Sequence, residues 1–337
     1  MAKSKKILFS IVAVLCTLVL IIGGLLFFNK NKASADTNIK GSLNNESKIK
    51  VSVIIPVYKA EKLLGKCLDS VLNQTLKEIE VICVNDKSPD NCGKILENYA
   101  KKDKRIIVIN HKENKGACAA RNTGLNIAKG EYIRFCDDDD TMNPRACEIS
   151  YKKAKAENAD ILYDDMPYNK VINGPIYQEL KVYVWSGVYK TEFLNRNNLR
   201  FYELIRQYGE DHAFNLMCTP KAKKIVCIRE KLYNHYRENP DNTNHDPKQK
   251  PEFPKRLRLA VEKIREIWSK EGYFNSNDAK VAFLKWVYYC MNPWKTKETN
   301  KMFVEAIGKD LLKDEILNLL DKNTRDGIKN MIKNSKS

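Results

Sequence analysis

No two of the ten cysteines stand as a Cys-x-x-Cys pair, so the sequence offers no zinc ribbon. Several lie in apolar runs, such as Cys83 in VICV and Cys136 in YIRFC, where a thiol reads as a small buried hydrophobe. Thiols of that kind favour a reducing compartment. Histidine is scarce, with four in 337 residues. His235 and His245 read as structural or exposed positions rather than metal ligands. There is no internal repeat, which excludes a solenoid, and no low-complexity tract, which excludes a largely disordered chain. No recognised nucleic-acid module is visible, so a nucleic-acid partner is not expected.

What is present is a globular composition, 43% hydrophobic and 30% charged. The net charge of +17 is unevenly placed: +6 over residues 1–50, zero over 51–165 and +11 over 166–337. Basic flanks suit an anionic membrane surface, a phosphorylated substrate or nucleic acid; they are equally the solvated face of a Lys-rich chain. Behind a short basic N-terminus, residues 1–6, Ile7 to Phe28 form an uncharged apolar run. At 1.5 Å per residue that run reaches roughly 33 Å, enough to span a bilayer. Ala33-Ser34-Ala35 resembles a signal-peptidase site, but the apolar run exceeds a usual signal core, so a retained transmembrane anchor is expected. Lys residues on both sides of it leave its orientation open. Residues 29–50 read as a flexible polar stalk.

From Val51 the pattern becomes one of alternation. Val51–Val57 is a β-branched apolar run, as a buried parallel strand would be. Glu61–Gln74 carries apolar residues at helical spacing. Ile79–Val84, Arg105–Asn110 and Glu131–Cys136 read as further strands, Asp90–Lys102, Gly116–Lys129 and Pro144–Asn158 as helices, and a short strand starts at Asp160. Such alternation predicts an α/β fold with a mostly parallel sheet, in which ligands bind at the carboxyl ends of the strands. Residues 166–250 are mixed and aromatic-rich in places, and residues 252–334 read as helical with a basic surface.

The candidate chemistry sits at those strand ends. Asp137-Asp138-Asp139-Asp140 follow an apolar strand directly, and four adjacent carboxylates repel one another unless a cation neutralises them. A hard divalent ion, Mg²⁺ or Mn²⁺, takes oxygen ligands and suits a diphosphate substrate; the rival reading is an acidic turn before a helix. Asp86, just past the second strand, is placed to accept from a nucleobase or ribose, or is an ordinary turn residue. Arg121, in a helix of small residues, can pair with phosphate or with the acidic segment. Asp211, in Gly-Glu-Asp-His, is either a general base or a first-turn residue favoured by the helix dipole.

Taken in order from Val51 to about Arg237, these pieces resemble the family 2 glycosyltransferases with the GT-A fold. VSVIIPVYKAEKLLGKCLDSVLNQT is similar to the family's opening strand and helix, EVICVNDKSPD to its nucleotide-binding turn, and ENKGACAARNTGLNIAKGEYIRFCDDDD to its helix and D-x-D segment. VWSGVYKTEFL, GEDHAFN and LYNHYREN resemble acceptor-side elements of capsule and lipopolysaccharide enzymes. The resemblance implies a Rossmann-like core at 51–165 for a nucleotide-sugar donor, an acceptor-side part at 166–250 and a basic helical extension at 251–337. It implies that Pro56 and Tyr58 border the base pocket, Asp86 binds the nucleobase, Arg121 lies by the donor, Asp138 with Asp137 contacts the ribose or sugar, Asp139 holds Mg²⁺ or Mn²⁺, and Asp211 is the base of an inverting transfer. Lys87 departs from the family where Gly is frequent, and Gly187-Val188 replace the usual Lys-Leu after Trp185.

The expectation is therefore an inverting transferase acting from a nucleotide-sugar, by default a UDP-sugar, on a surface glycan or lipid-linked acceptor. It would be held at the membrane by a single span with its catalytic domain in the cytosol. The alternative is a catalytically silent, membrane-anchored protein that binds sugar-nucleotide or glycan; Asp86, Asp139 and Asp211 argue against it. A nucleotidyltransferase would want a Gly-rich phosphate loop after the first strand, where this sequence reads PVYKAEK.

Overall fold

The computed structural model describes residues 48–177, 183–205, 209–236, 253–291 and 296–336. The expected anchor at 7–28 and nearly all of the stalk lie outside them. Among the described residues no helix is long and apolar enough to cross a membrane. The folded unit begins at Ile49. Lys50 already pairs with the sheet, its backbone N–H donating to Glu78.

Strand β1 (Val51–Val57) leads through α1 (Leu64–Leu72) to β2 (Ile79–Asn85), then α2 (Cys92–Lys102), β3 (Ile106–Asn110), α3 (Ala117–Ile127) and β4 (Tyr132–Phe135). There follow β5 (Thr141–Met142), α4 (Ala146–Ala156), β6 (Ile161–Tyr163), β7 (Lys170–Asn173), β8 (Gly187–Lys190), α5 (Thr191–Arg196), α6 (Glu210–Cys218), β9 (Lys224–Cys227) and β10 (Tyr233–Asn234). The chain closes on α7 (Phe253–Lys270), α8 (Asn277–Met291), α9 (Lys297–Ile307), α10 (Asp314–Leu317) and α11 (Lys322–Lys336).

Eight strands form one sheet in the order β3-β2-β1-β4-β8-β6-β9-β7, and β5 pairs with β10 in a small antiparallel ribbon. The parallel sheet expected from strand–helix alternation holds for β3-β2-β1-β4. Beyond β4 antiparallel pairs enter, although β6 and β9 are parallel and parallel pairs stay in the majority across the sheet. There β8 runs antiparallel to both β4 and β6, and β7 antiparallel to β9, so the sheet is mixed.

Every residue of β1 and β2 is buried, which is why these strands read as unbroken apolar runs rather than alternating ones. Val53, Ile55 and Val57 face Leu64, Cys67 and Leu68 of α1. Ile54, on the opposite face, packs with Ile82, Ala120 and Leu125. The small residues of α3 allow its close approach to the sheet: a Cβ on Gly124 would fall 2.5 Å from an Ile54 methyl. The C-terminal helices build a separate core around Trp268, Phe283, Trp286 and Phe303, which also takes in Ala213 and Leu216 of α6. Phe214 and Cys218 of α6 face the sheet side. Helix α6 is thus clamped between sheet and extension, and each large apolar side chain it buries contributes roughly 1.5–3 kcal/mol.

Candidate active site

Because β1, β2, β3 and β4 are parallel, Tyr58, Asp86, His111 and Asp137 emerge side by side at one sheet edge. Antiparallel β8 starts at the same edge, directly after a 3₁₀ turn at Val184–Ser186. Two residues past the ends of β1, β2 and β6 the backbone turns left-handed, at Lys59 (φ 57°), Lys87 (φ 58°) and Asp165 (φ 54°). A non-glycine residue there costs roughly 1–2 kcal/mol, so the sharp exits from the sheet carry backbone strain.

Asp86 is buried and bound to its own surroundings. Its carboxylate accepts from the backbone N–H groups of Lys115 (2.9 Å) and Gly116 (2.7 Å) and lies 2.7 Å from His111 Nδ1. His111 Nε2 in turn meets Thr123 Oγ1 at 2.9 Å. These contacts tie the ends of β2 and β3 to the loop that opens α3. The Asp86 N–H donates to the Val57 carbonyl, placing Asp86 next to the end of β1. A nucleobase partner for the carboxylate would share it with these donors. Pro56, also expected near the base, is buried within β1 opposite Val84.

The four aspartates have separate surroundings. Asp137 pairs with Arg121 at 2.8 Å, and its own N–H donates to the Tyr233 hydroxyl. Asp138 accepts from the Tyr58 N–H at 2.8 Å. Burial, with Asp139 and Asp137 alongside, raises its pKa above the ordinary carboxylate range despite that hydrogen bond. Asp140 is buried beneath β10, taking hydrogen bonds from the Tyr233 hydroxyl (2.7 Å) and the Tyr236 N–H (2.7 Å), with His235 Nδ1 at 3.2 Å. Burial and Asp137 push its pKa up to about 6. Asp139 lies between them, half-buried.

Among the described residues, no three His, Cys, Asp or Glu side chains converge on a metal position. Burial is the first cause of the raised pKa at Asp138 and at Asp140, with the neighbouring aspartates adding to it. The donor set fits Mg²⁺ or Mn²⁺ bound by one or two carboxylates, with phosphate and water completing the shell, rather than an all-protein cage.

Arg121 joins the two halves of the site. Its guanidinium is buried, donates to Asp137 and to Asp211 (3.2 Å), lies 4.0 Å from Glu210 and sits over the Phe201 ring at 5.2 Å. Burial works against its charge, but Asp211, Asp137 and Glu210 outweigh that and raise its pKa. Asp211 also accepts from the Val184 N–H at 3.1 Å. Burial pushes the Asp211 carboxyl up to about 7, with Glu210 and Asp137 adding to the rise and Arg121 opposing it. Helix α6 is anchored by Asn215, whose side-chain oxygen accepts from the Tyr163 and Tyr189 hydroxyls.

Sequence reasoning therefore names residues that meet directly, Arg121 with Asp137 and Asp211, and Tyr58 with Asp138. It assigns no role to His111, Glu210 or Tyr233 and misses the tie between His235 and Asp140. Glu210 had a visible signal, its place beside Asp211. The others depend on contacts across 25 to 96 residues of chain, which no local pattern carries.

Comparison with known proteins bears on this site. The model of the family described as "Glycosyl transferase family 2" matches residues 52–219. EpsJ, an uncharacterized glycosyltransferase of Bacillus subtilis (strain 168), is 38% identical over 249 residues, which are 67% of this chain and 70% of that protein. The poly(ribitol-phosphate) beta-glucosyltransferase of Bacillus spizizenii is 36% identical over 208 residues, 56% of this chain and 32% of the relative. The structure of S. aureus TarS 1-349 in complex with UDP-GlcNAc superposes with a TM-score of 0.68 at 20% identity, covering 85% of this chain and 88% of that one. At that identity the likeness establishes the GT-A α/β fold.

Proposed function

The chain belongs to glycosyl transferase family 2 and is a transferase, and we propose that it moves a sugar, with inversion, from a UDP-sugar to a hydroxyl of a surface glycan or lipid-linked acceptor. The observation that carries this reading is the buried Arg121 bridge between Asp137 at the end of β4 and Asp211 at the start of α6. It brings a candidate base and the acidic segment into one electrostatic unit. The TarS structure in complex with UDP-GlcNAc supports the donor class, and the poly(ribitol-phosphate) enzyme supports a surface polymer as acceptor.

In this proposal Asp211 takes the proton of the acceptor hydroxyl. The acceptor oxygen forms a bond to the anomeric carbon from the face opposite the leaving group. The bond from that carbon to the diphosphate breaks, and its electron pair leaves with the diphosphate. A carboxylate titrating near neutrality is matched to this task. Among the described residues each Asp211 oxygen has one protein donor, Arg121 or Val184, which leaves lone pairs for the acceptor. Arg121 orients the base and holds Asp137 in place. Asp86 fixes the loop that would border the nucleobase, with Pro56 and Tyr58 beside it, while Asp138 and Asp137 face the ribose or sugar. Mg²⁺ or Mn²⁺ at Asp139 would supply Lewis-acid neutralisation of diphosphate charge. We include in the proposal the single-pass anchor at 7–28 and a cytosolic catalytic domain, a compartment in keeping with buried thiols such as Cys83 and Cys136.

The test follows UDP release from UDP-glucose and UDP-GlcNAc by the full chain with Mn²⁺ and a cell-wall polymer fraction. Below about pH 7 kcat/KM should fall as Asp211 gains a proton. Asp211→Asn should lose about 10²–10⁴-fold in transfer while UDP affinity stays within about twofold. Full transfer by that variant would overturn the base, and failure of the wild type to bind UDP with or without Mn²⁺ would overturn the donor.

A further inference from the structure

Trp185 is the middle ring of an aromatic stack at the site's edge. Tyr183 lies against it at 4.7 Å with planes 8° apart, and Tyr233 at 4.4 Å and 12°. The imidazole of His235 is 5.6 Å from the Trp185 ring at 21°. The inner end of the stack is fixed to the acidic segment, because the Tyr233 hydroxyl donates to Asp140 and accepts from the Asp137 N–H. The outer ring, Tyr183, is 42% exposed.

Exposed aromatics are ordinary when scattered singly, but Tyr183 is held in three ways. The Ser186 N–H and hydroxyl both donate to its carbonyl, at 3.2 and 2.7 Å. The next residue, Val184, donates its N–H to Asp211. The turn is backed by Arg134, which donates to the Trp185 carbonyl at 3.4 Å and forms a wholly buried pair with Asp164 at 2.7 Å. A large ring is stacked on Trp185 at the surface, on a turn with a pinned backbone, one residue from the N–H that bonds the candidate base.

We propose that Tyr183 is the platform of an acceptor subsite: a pyranose ring of the acceptor stacks on its outer face, with the reacting hydroxyl toward Asp211. This rests on the glycosyl-transfer reading above. The physical ground is complementarity. One face of a pyranose presents C–H bonds with slight positive charge, and the aromatic face presents the negative side of its quadrupole. A ring already locked by its neighbours gives contact area at little entropic cost. Tyr183 itself neither gains nor loses a proton in the transfer; it is a specificity residue for the acceptor.

The experiment uses the full chain saturated with UDP and irradiates aromatic protein protons while observing methyl β-D-glucopyranoside and methyl N-acetyl-β-D-glucosaminide by saturation-transfer NMR. The expected result is transfer to the H1, H3 and H5 face of at least one glycoside. That signal should fall at least fivefold in Tyr183→Ala and survive in Tyr183→Phe, with UDP and UDP-glucose affinities within twofold of wild type in both. An equal signal in Tyr183→Ala overturns the proposal, as does absence of signal from both glycosides in the wild type. So does a Tyr183→Ala variant that weakens UDP-glucose but not UDP, since the ring would then serve the donor sugar. Loss of UDP binding in the wild type would instead bring down the donor reading and this proposal with it.

Discussion

The two ends of the site keep acidic groups away from water by opposite means. At the β2–β3 end, Asp86 spreads its charge over two backbone N–H groups and the His111 ring. At the β4–α6 end, Asp137, Glu210 and Asp211 lean on one guanidinium. The first arrangement holds a loop whose geometry is its purpose. The second leaves carboxylates undercompensated, with Asp211 and Glu210 both raised, burial being the first cause in each. Backbone amides satisfy a carboxylate locally; a shared Arg keeps one near its titration point.

If that contrast is right, the largest effect in the molecule comes from removing the shared cation. Arg121→Met leaves three nearby carboxylates without their counter-charge, and loss of one partner of a buried pair costs about 3–5 kcal/mol. The pH dependence has a definite sign. The folded pKa of Asp211 lies above the unfolded value, so from about pH 4 to 7 the folded state binds more protons than the unfolded one. Wild-type stability from this group therefore falls as pH rises through that window. Arg121→Met should steepen the fall, so its deficit is largest at pH 8 and smaller near pH 5.5. Urea unfolding at both values measures this, and a deficit below about 1 kcal/mol at pH 8 would erase the difference between the two ends.

The matching change at the other end is Asp86→Asn. One carboxamide oxygen can still accept, but the amide N–H₂ then faces donors that have nowhere else to bond. Leaving one such buried donor unsatisfied costs about 1–3 kcal/mol. The expected loss is smaller than for Arg121→Met and depends less on pH between 5.5 and 8, since two of the carboxylate's three partners are uncharged backbone N–H groups. Hydrogen exchange should show it locally, as faster exchange at the Lys115 and Gly116 amides. A loss as pH-dependent as that of Arg121→Met would contradict the contrast.

What the sequence made legible follows the same division. Apart from β5, which the sequence did not suggest, the strands and helices between Val51 and Ala156 differ from their expected bounds by three residues or fewer, because buried parallel strands and amphipathic helices announce themselves locally. Tyr58, Asp86 and the acidic segment stood out by their place at strand ends, whereas Arg121 and Asp211 were named within helices. Hidden were the features that need tertiary contact. The short strands β7, β8 and β9 carry no periodicity long enough to read, and their antiparallel pairing makes the sheet mixed. The departure at Gly187 looked arbitrary in sequence. In the fold a Cβ there would come within 2.4 Å of the Leu162 carbonyl oxygen, so β8 can approach β6 only with glycine at that point. Likewise, four identical aspartates gave no hint that Asp140 is pinned under β10 while Asp137 belongs to Arg121.

The smallest effect is expected at the other departure from the family resemblance, Lys87. Lys87 is exposed and adopts φ 58°. Glycine would remove roughly 1–2 kcal/mol of left-handed strain and return about 0.5–1 kcal/mol as added freedom in the unfolded chain. Lys87→Gly should therefore stabilise by about 1 kcal/mol or less, a rise of no more than roughly 2–4 °C in Tm, with UDP affinity unchanged. The reasoning is that the turn's shape is imposed by Asp86 and its donors, so relaxing one backbone torsion leaves the loop where it is. In an Asp86→Asn background those donors no longer enforce the turn, and the same glycine should weaken UDP binding further. If it instead restored binding there, strain at Lys87 rather than the amide network would be holding the loop.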